Sequence, residues 1–364
     1  MKTIPVTKPF SPPIEEYKKY LDEIWERNWY TNNGPLLIQL QENLREYLGV
    51  REVACVSNGT VALQIALKAL GIKGKVITTP FSYVATTSSI FWEGCTPVFA
   101  DIDPHSLNID PLKILEVIDK DTEAILATHC FGNACEIDFI EKIASEHGLK
   151  VIYDAAHCFG TKYKGESIFN FGDISTTSFH ATKLFHSIEG GAIFSQDKNL
   201  RKRISFLRNF GHDGPEKFSG VGINGKNSEF HAAMGLCNLR YIDEILERRK
   251  HQSELYLSGL SFEKSRTVQI QKNTTFNFAY FPLIFDSFEL MNIVKSELEK
   301  DSIFPRRYFF PSLSSLDYLE IKQPTPISDE IASKVICLPL YHDLLDSEIE
   351  KTIEIINHTV FNYD

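Results

Sequence analysis

The feature that most constrains this chain is an alternation. Through residues 52–156, short runs rich in β-branched and apolar residues take turns with longer segments of helical periodicity. EVACVS precedes TVALQIALKAL, KVITTP precedes VATTSSIFWEG, TPVFADI precedes DPLKILEVI, AILATHCF precedes IDFIEKIASEHG, and KVIYDAA closes the series. Runs this apolar, with little charge inside them, have no face suited to water. They predict strands covered on both sides by helices, in an α/β fold with a largely parallel sheet.

Before the alternation, IEEYKKYLDEIWERN and LLIQLQENLREYLGV predict helices on either side of the turn TNNGP. After it, FHAAMGLCNLRYIDEILERRKHQSELYLSGL predicts a long helical connection into a smaller α/β block. That block contains FNFAYFPLIF, FELMNIVKSELEKD, VICLPLY and a closing amphipathic helix, DSEIEKTIEIINHTV. The expected partition is a large domain over 1–245, helical N-terminal segment included, and a small C-terminal domain over 246–364. A chain of 364 residues has room for both.

With 38 Lys and Arg against 48 Asp and Glu, the net charge of −10 opposes a nucleic-acid backbone but leaves room for a locally positive pocket. The opening MKTIPVTKPFSPPIEEYKKY lacks the apolar core of a secretory signal, and no run approaches the ~20 apolar residues of a membrane span. A cytoplasmic protein without membrane partners is expected. Cys55, Cys95, Cys130, Cys135, Cys158, Cys237 and Cys337 show no CxxC spacing, which predicts buried, reduced thiols and no metal site.

Three local groups carry chemistry. Ser57–Thr60, SNGT, stands between a strand and a helix, where Gly59 permits close approach and the helix start offers unpaired N–H groups to a phosphate. The same turn can serve only to cap its helix. Asp154 ends the apolar strand in VIYDAAH, at the edge where α/β sheets collect ligands. A carboxylate there can meet a cationic ring nitrogen, a ribose hydroxyl or a metal, or can merely cap the next turn. Lys183 lies between the Ser/Thr-rich TTSFHAT and the return GGAIF, where desolvation would lower its pKa for Schiff-base chemistry; a solvent-facing lysine is the plain alternative. Taken in order, the three form a set suited to pyridoxal phosphate. The turn would hold the phosphate, Asp154 would keep the pyridine nitrogen protonated and Lys183 would hold the aldehyde. No GxGxxG turn follows a strand, so a nicotinamide enzyme is disfavoured.

At this point the sequence resembles the DegT/DnrJ/EryC1/StrS aminotransferases, which aminate keto-sugars attached to nucleotides. The resemblance runs from WYTNNGP to ICLPLY and is carried by SNGTVALQIALKALGI, DAAHCFGTKYKG, SFHATK followed by EGG, and GINGKNSEFHAAMGL. It implies the aspartate-aminotransferase type of fold and pyridoxal 5'-phosphate as cofactor. Lys183 resembles the Schiff-base lysine and Asp154 the partner of the ring nitrogen. Asn58, Gly59, Thr60 and Ser178 match positions around the phosphate, Tyr83 the aromatic stacked on the ring, and His157 a position beside the phenolic oxygen. Asn224 and Lys226 lie in a segment that in the family reaches the neighbouring subunit's site, which implies a homodimer with shared active sites. Here Gly225 and Lys226 stand where an aromatic and Arg are usual, leaving two candidates for that contact.

PRRYFFPSL resembles the family's sugar-nucleotide segment, so Arg306 or Arg307 is expected at the diphosphate and Tyr308 at the sugar or base, with His180 lining the site. Some members carry His at the lysine position and perform a deoxygenation; Lys183 implies transamination. The expected reaction moves an amino group from glutamate to dTDP-4-keto-6-deoxy-D-glucose, in deoxyamino-sugar biosynthesis for the O-antigen of lipopolysaccharide. Amination at position 3, a UDP-linked substrate and a non-catalytic protein on the same fold are the alternatives.

Overall fold

The computed structural model describes residues 3–319 and 323–363. Alternate residues of a strand face opposite sides of a sheet, and this chain loads both sides with apolar groups. Ile125, Ala127, Val151 and Tyr153 belong to one core, with Leu37, Leu40 and Leu44 of the helix Pro35–Leu48 and Ile140 and Ile143 of the helix Ile137–His147. Ala124, Leu126 and Ile152 belong to another, with Ala62, Leu63 and Ala66 of the helix Gly59–Leu70 and Ile204 of the helix Lys198–Leu207.

Seven strands form this sheet, in the spatial order Ala54–Val56, Gly191–Phe194, Ile174–Ser178, Lys150–Asp154, Thr122–Thr128, Lys75–Thr78 and Thr96–Phe99. Gly191–Phe194 runs against both neighbours, and every other pairing is parallel. The carboxyl ends of the remaining strands therefore share one edge, where Ser57, Thr128, Asp154 and Ser178 come together.

A smaller antiparallel sheet, Ser265–Arg266, Phe281–Phe285 and Val335–Leu338, carries the helices Phe288–Lys300 and Asp346–Phe361. Its core holds Tyr256, Leu283, Phe285, Val294, Ile336 and Ile356. The long helix expected ahead of it is two, Glu229–Leu239 and Ile242–Gly259. At the break, Asn238 donates its amide to His186 O at 2.8 Å, and Tyr241 leaves helical geometry with φ −105° and ψ 4°.

A fourth cluster joins the blocks, with Phe81, Ile102 and Phe131 against Ile284, Val335 and Cys337. The amino end joins them too. Ile4–Pro5 pairs in parallel with Ile303–Phe304, and Leu340 N donates to Val6 O at 3.0 Å. Further along, Thr7 Oγ1 donates to Thr182 O at 3.3 Å, and His186 Nε2 lies 2.8 Å from Phe10 O. All seven cysteines are buried and free. No described helix is long and apolar enough to cross a membrane.

Candidate active site

The helix Gly59–Leu70 starts directly off the first strand of the large sheet, and its start is tightly confined. Asn58 caps it, with Oδ1 accepting from Val61 N at 2.8 Å. The N–H groups of Gly59 and Thr60, like those of any first helical turn, have no intrahelical partner. A Cβ on Gly59 would stand 2.9 Å from the Ser178 Cβ, and one on Gly191 would stand 2.7 Å from the carbonyl carbon of Asn58. The capping reading is thus correct for the Asn58 side-chain oxygen, while the backbone donors beside it border a cradle that only glycine leaves open.

Asp154 forms the floor. It ends its strand 7% exposed; Oδ2 accepts from Thr86 Oγ1 at 2.8 Å and Oδ1 from Ala156 N at 3.1 Å. Ser82 Oγ lies 2.7 Å from Thr86 Oγ1 and 3.0 Å from Thr128 Oγ1, extending the hydroxyl chain across the strand ends. Burial raises the Asp154 pKa, against the pull of Thr86, the Ala156 N–H and the Lys183 charge. A carboxylate so placed favours a cationic partner in the cavity above it.

Lys183 follows a tight turn in which its N–H donates to His180 O at 2.9 Å. Its Nζ donates to Tyr280 Oη at 3.4 Å. Desolvation lowers its pKa to about 8, although Asp154 favours the ammonium. His157 accepts from Phe131 N at Nδ1, 3.2 Å away, which leaves its hydrogen on Nε2. Burial and the Lys183 charge push its pKa far down and keep the ring neutral. That ring lies 4.6 Å from the Tyr280 ring and parallel to Phe309 at 5.8 Å.

The Asn58–Thr60 turn, Asp154, His157, Lys183 and Tyr280 line one cavity of about 660 Å³, together with Tyr83, His180, Arg306 and Tyr308. His180 Nδ1 accepts from Thr182 N at 3.2 Å, and its Nε2 faces Glu189 Oε1 at 3.5 Å. The Arg306 guanidinium lies 4.8 Å from the centre of the Tyr308 ring. A phosphorylated, cationic pyridine aldehyde fits this donor set, with backbone N–H groups and hydroxyls at one end, a buried carboxylate at the other and a desolvated amine beside them.

Three predicted residues lie outside the cavity lining. Arg307 turns to the end of the helix Pro326–Lys334, donating to Ala332 O and Ser333 O at 3.2 Å each, with Phe310 under its guanidinium. Asn224 is exposed and Lys226 buried, with Lys226 Nζ donating to Asn224 Oδ1 at 2.8 Å and lying 4.7 Å from the Phe210 ring centre. Sequence reasoning missed Thr86 and Tyr280. The Ser82 and Thr86 hydroxyls, spaced i,i+4 in SYVATT, were the available signal for the first. Tyr280 carried none, since it is 97 residues from Lys183.

The sequence profile of the DegT/DnrJ/EryC1/StrS aminotransferase family matches residues 13–357. The chain is 42% identical over 365 residues to the dTDP-4-amino-4,6-dideoxy-D-glucose transaminase of Shigella dysenteriae, covering 98% of each. It is 31% identical over 363 residues to the GDP-perosamine synthase of Vibrio cholerae, again covering 98% of each. A crystal structure of DesI in the presence of its TDP-sugar product superposes with a TM-score of 0.94 at 30% identity, over 100% of this chain and 94% of that one.

Proposed function

The chain belongs to the DegT/DnrJ/EryC1/StrS aminotransferase family, a pyridoxal phosphate-dependent family, and on that premise we propose that it aminates dTDP-4-keto-6-deoxy-D-glucose at position 4, with glutamate as donor. The observation that carries the reading is the convergence of Asp154, Lys183 and the Asn58–Thr60 turn on one cavity. The choice of sugar and nucleotide rests on 42% identity to the dTDP-4-amino-4,6-dideoxy-D-glucose transaminase, against 31% to GDP-perosamine synthase.

When bound, the cofactor supplies an aldehyde and an electron-withdrawing pyridinium ring that stabilises negative charge at the carbon losing or gaining the amine. The protein's part follows from its residues. Asp154 holds its carboxylate where it stabilises a protonated ring nitrogen, with Thr86 and the Ala156 N–H fixing its orientation. Lys183 Nζ, neutral above about pH 8, would take the proton from the donor's α-carbon and deliver it to the carbon of the cofactor's aldehyde, and would run the same transfer in reverse for the keto-sugar. The Gly59 and Thr60 N–H groups and the Ser178 hydroxyl would hold the phosphate. Tyr83 and His157, which line the cavity, would flank the ring, and burial keeps His157 neutral. Arg306 is the lining guanidinium suited to the substrate's diphosphate, beside Tyr308 and His180. Asn224, on the exposed side, would complete the site of a second copy, with Lys226 fixing the direction of its amide. The cytoplasm is the compartment expected, with the product entering O-antigen assembly.

Incubation with glutamate and dTDP-4-keto-6-deoxy-D-glucose should release 2-oxoglutarate and the 4-amino sugar. Turnover confined to UDP- or GDP-linked sugars, or amination at position 3, would reject the substrate assignment. A Lys183→Ala variant that kept the wild-type visible band and full turnover would reject the site.

A further inference from the structure

One carboxamide outside the cavity ties together the two segments that meet at Lys183. Asn277, 3% exposed, lies just ahead of the strand Phe281–Phe285. Its Nδ2 donates to two carbonyls of the large block's loop, His157 O at 2.7 Å and Phe159 O at 2.9 Å. Its Oδ1 accepts from Ala279 N at 3.1 Å and so closes a turn over Phe278. Phe278 has φ +52°, in the left-handed region that a bulky residue enters only when its surroundings hold it there. From the other side Arg249, also 3% exposed, donates Nη1 to Ala279 O at 3.0 Å. Buried side chains therefore grip both backbone groups of Ala279, and the next residue is Tyr280. The neighbouring turn Cys130–Gly132 leaves room for the amide, because a Cβ on Gly132 would stand 2.3 Å from Asn277 Oδ1.

We propose that Asn277 is a positioning residue that fastens the Tyr280 turn to the His157 loop, so that the Tyr280 hydroxyl accepts a hydrogen bond from the Lys183 amine whenever that amine is not joined to the cofactor. The proposal rests on the reading of Lys183 as the cofactor's lysine. The groups that bear on the Lys183 amine are Asp154, Tyr83, Cys158, His157 and Tyr280, while Arg249, Arg306, Cys130 and Cys337 bear on Tyr280. Asn277 bonds directly to the Tyr280 turn and to the His157 carbonyl. An accepting hydroxyl favours the ammonium form, so displacing it lowers the pKa of Lys183 further.

The test follows uptake of pyridoxal 5'-phosphate by the full-length apoprotein through its visible absorption, from about pH 6 to pH 10, a range bracketing the lysine's titration. Tyr280→Phe is expected to lower the pKa governing uptake by about one unit, the scale of one hydrogen bond to a charged group. Asn277→Ser should show most of that shift, and the double variant no more than Tyr280→Phe alone. An unmoved pKa in either single variant, or shifts that simply add, would overturn the proposal. Tyr280→Phe removes one oxygen and keeps the ring's packing, so its result decides if Asn277→Ser does not fold. A wild-type protein that forms no visible band with the cofactor would instead defeat the reading of Lys183.

Discussion

At Lys183, burial and charge pull in opposite directions. Desolvation lowers the pKa, the Asp154 carboxylate raises it, and the balance stands at about 8. Where removal of the donor's proton limits the rate, activity should therefore climb through about pH 8 as the amine loses its proton. A limb near the ordinary lysine value of ~10.4 would contradict the burial argument. Thr86 acts one step back, by holding Asp154 Oδ2. Thr86→Val keeps the shape and removes the bond, so kcat should fall about tenfold, the cost of roughly one hydrogen bond to a charged group, with the melting temperature little changed. Asp154 and Lys183 were legible because each ends a short pattern that names its chemistry. Thr86 and Tyr280 were not, because a Ser/Thr-rich helix start and an aromatic run have ordinary structural uses, and only folding brings Thr86 to Asp154 and Tyr280 to the cavity.

Among the elements, the strands and helices of the large block were readable because buried strands and amphipathic helices have different periods. The reversed direction of Gly191–Phe194 was not, since GGAIF is equally apolar whichever way it runs. Nor was the break at Arg240–Tyr241, where helical periodicity continues across the junction. The helix Pro35–Leu48 shows how one element can depend on another. Glu229, from a different helix, accepts from Leu36 N and Leu37 N at 2.9 Å each, and a Cβ on Gly34 would meet its carboxyl at 2.5 Å. A carboxylate there answers both the unpaired N–H groups and the positive end of the helix. Glu229→Ala leaves both donors buried without a partner, and should cost about 1–3 kcal/mol for each, read as a lower denaturant midpoint. Glu229→Ser, which can still offer an oxygen, should recover little, because that oxygen falls short of the helix start.

For the whole molecule, the question is what the exposed loop around Asn224 meets. Phe210, Phe218, Val221 and Ile223 are all exposed on that loop, and Asn224 stands among them. If this face closes a second copy's cavity, Lys183→Ala and Asn224→Ala subunits, each impaired alone, should regain activity when co-assembled, since one of the two sites then draws on two intact halves. Failure of mixed particles to recover activity would exclude the shared site. The strand Ile4–Pro5 has a different consequence. It pairs with residues about three hundred positions later, while Thr7 and Phe10 reach the turn that carries Lys183. During synthesis this segment must therefore wait for residues 303–304 before its pairing can form. Residues 4–10 thus tie the turn that carries Lys183 to a strand of the smaller block, and a chain ending before residue 303 would keep the Thr7 and Phe10 contacts without the pairing that anchors their segment.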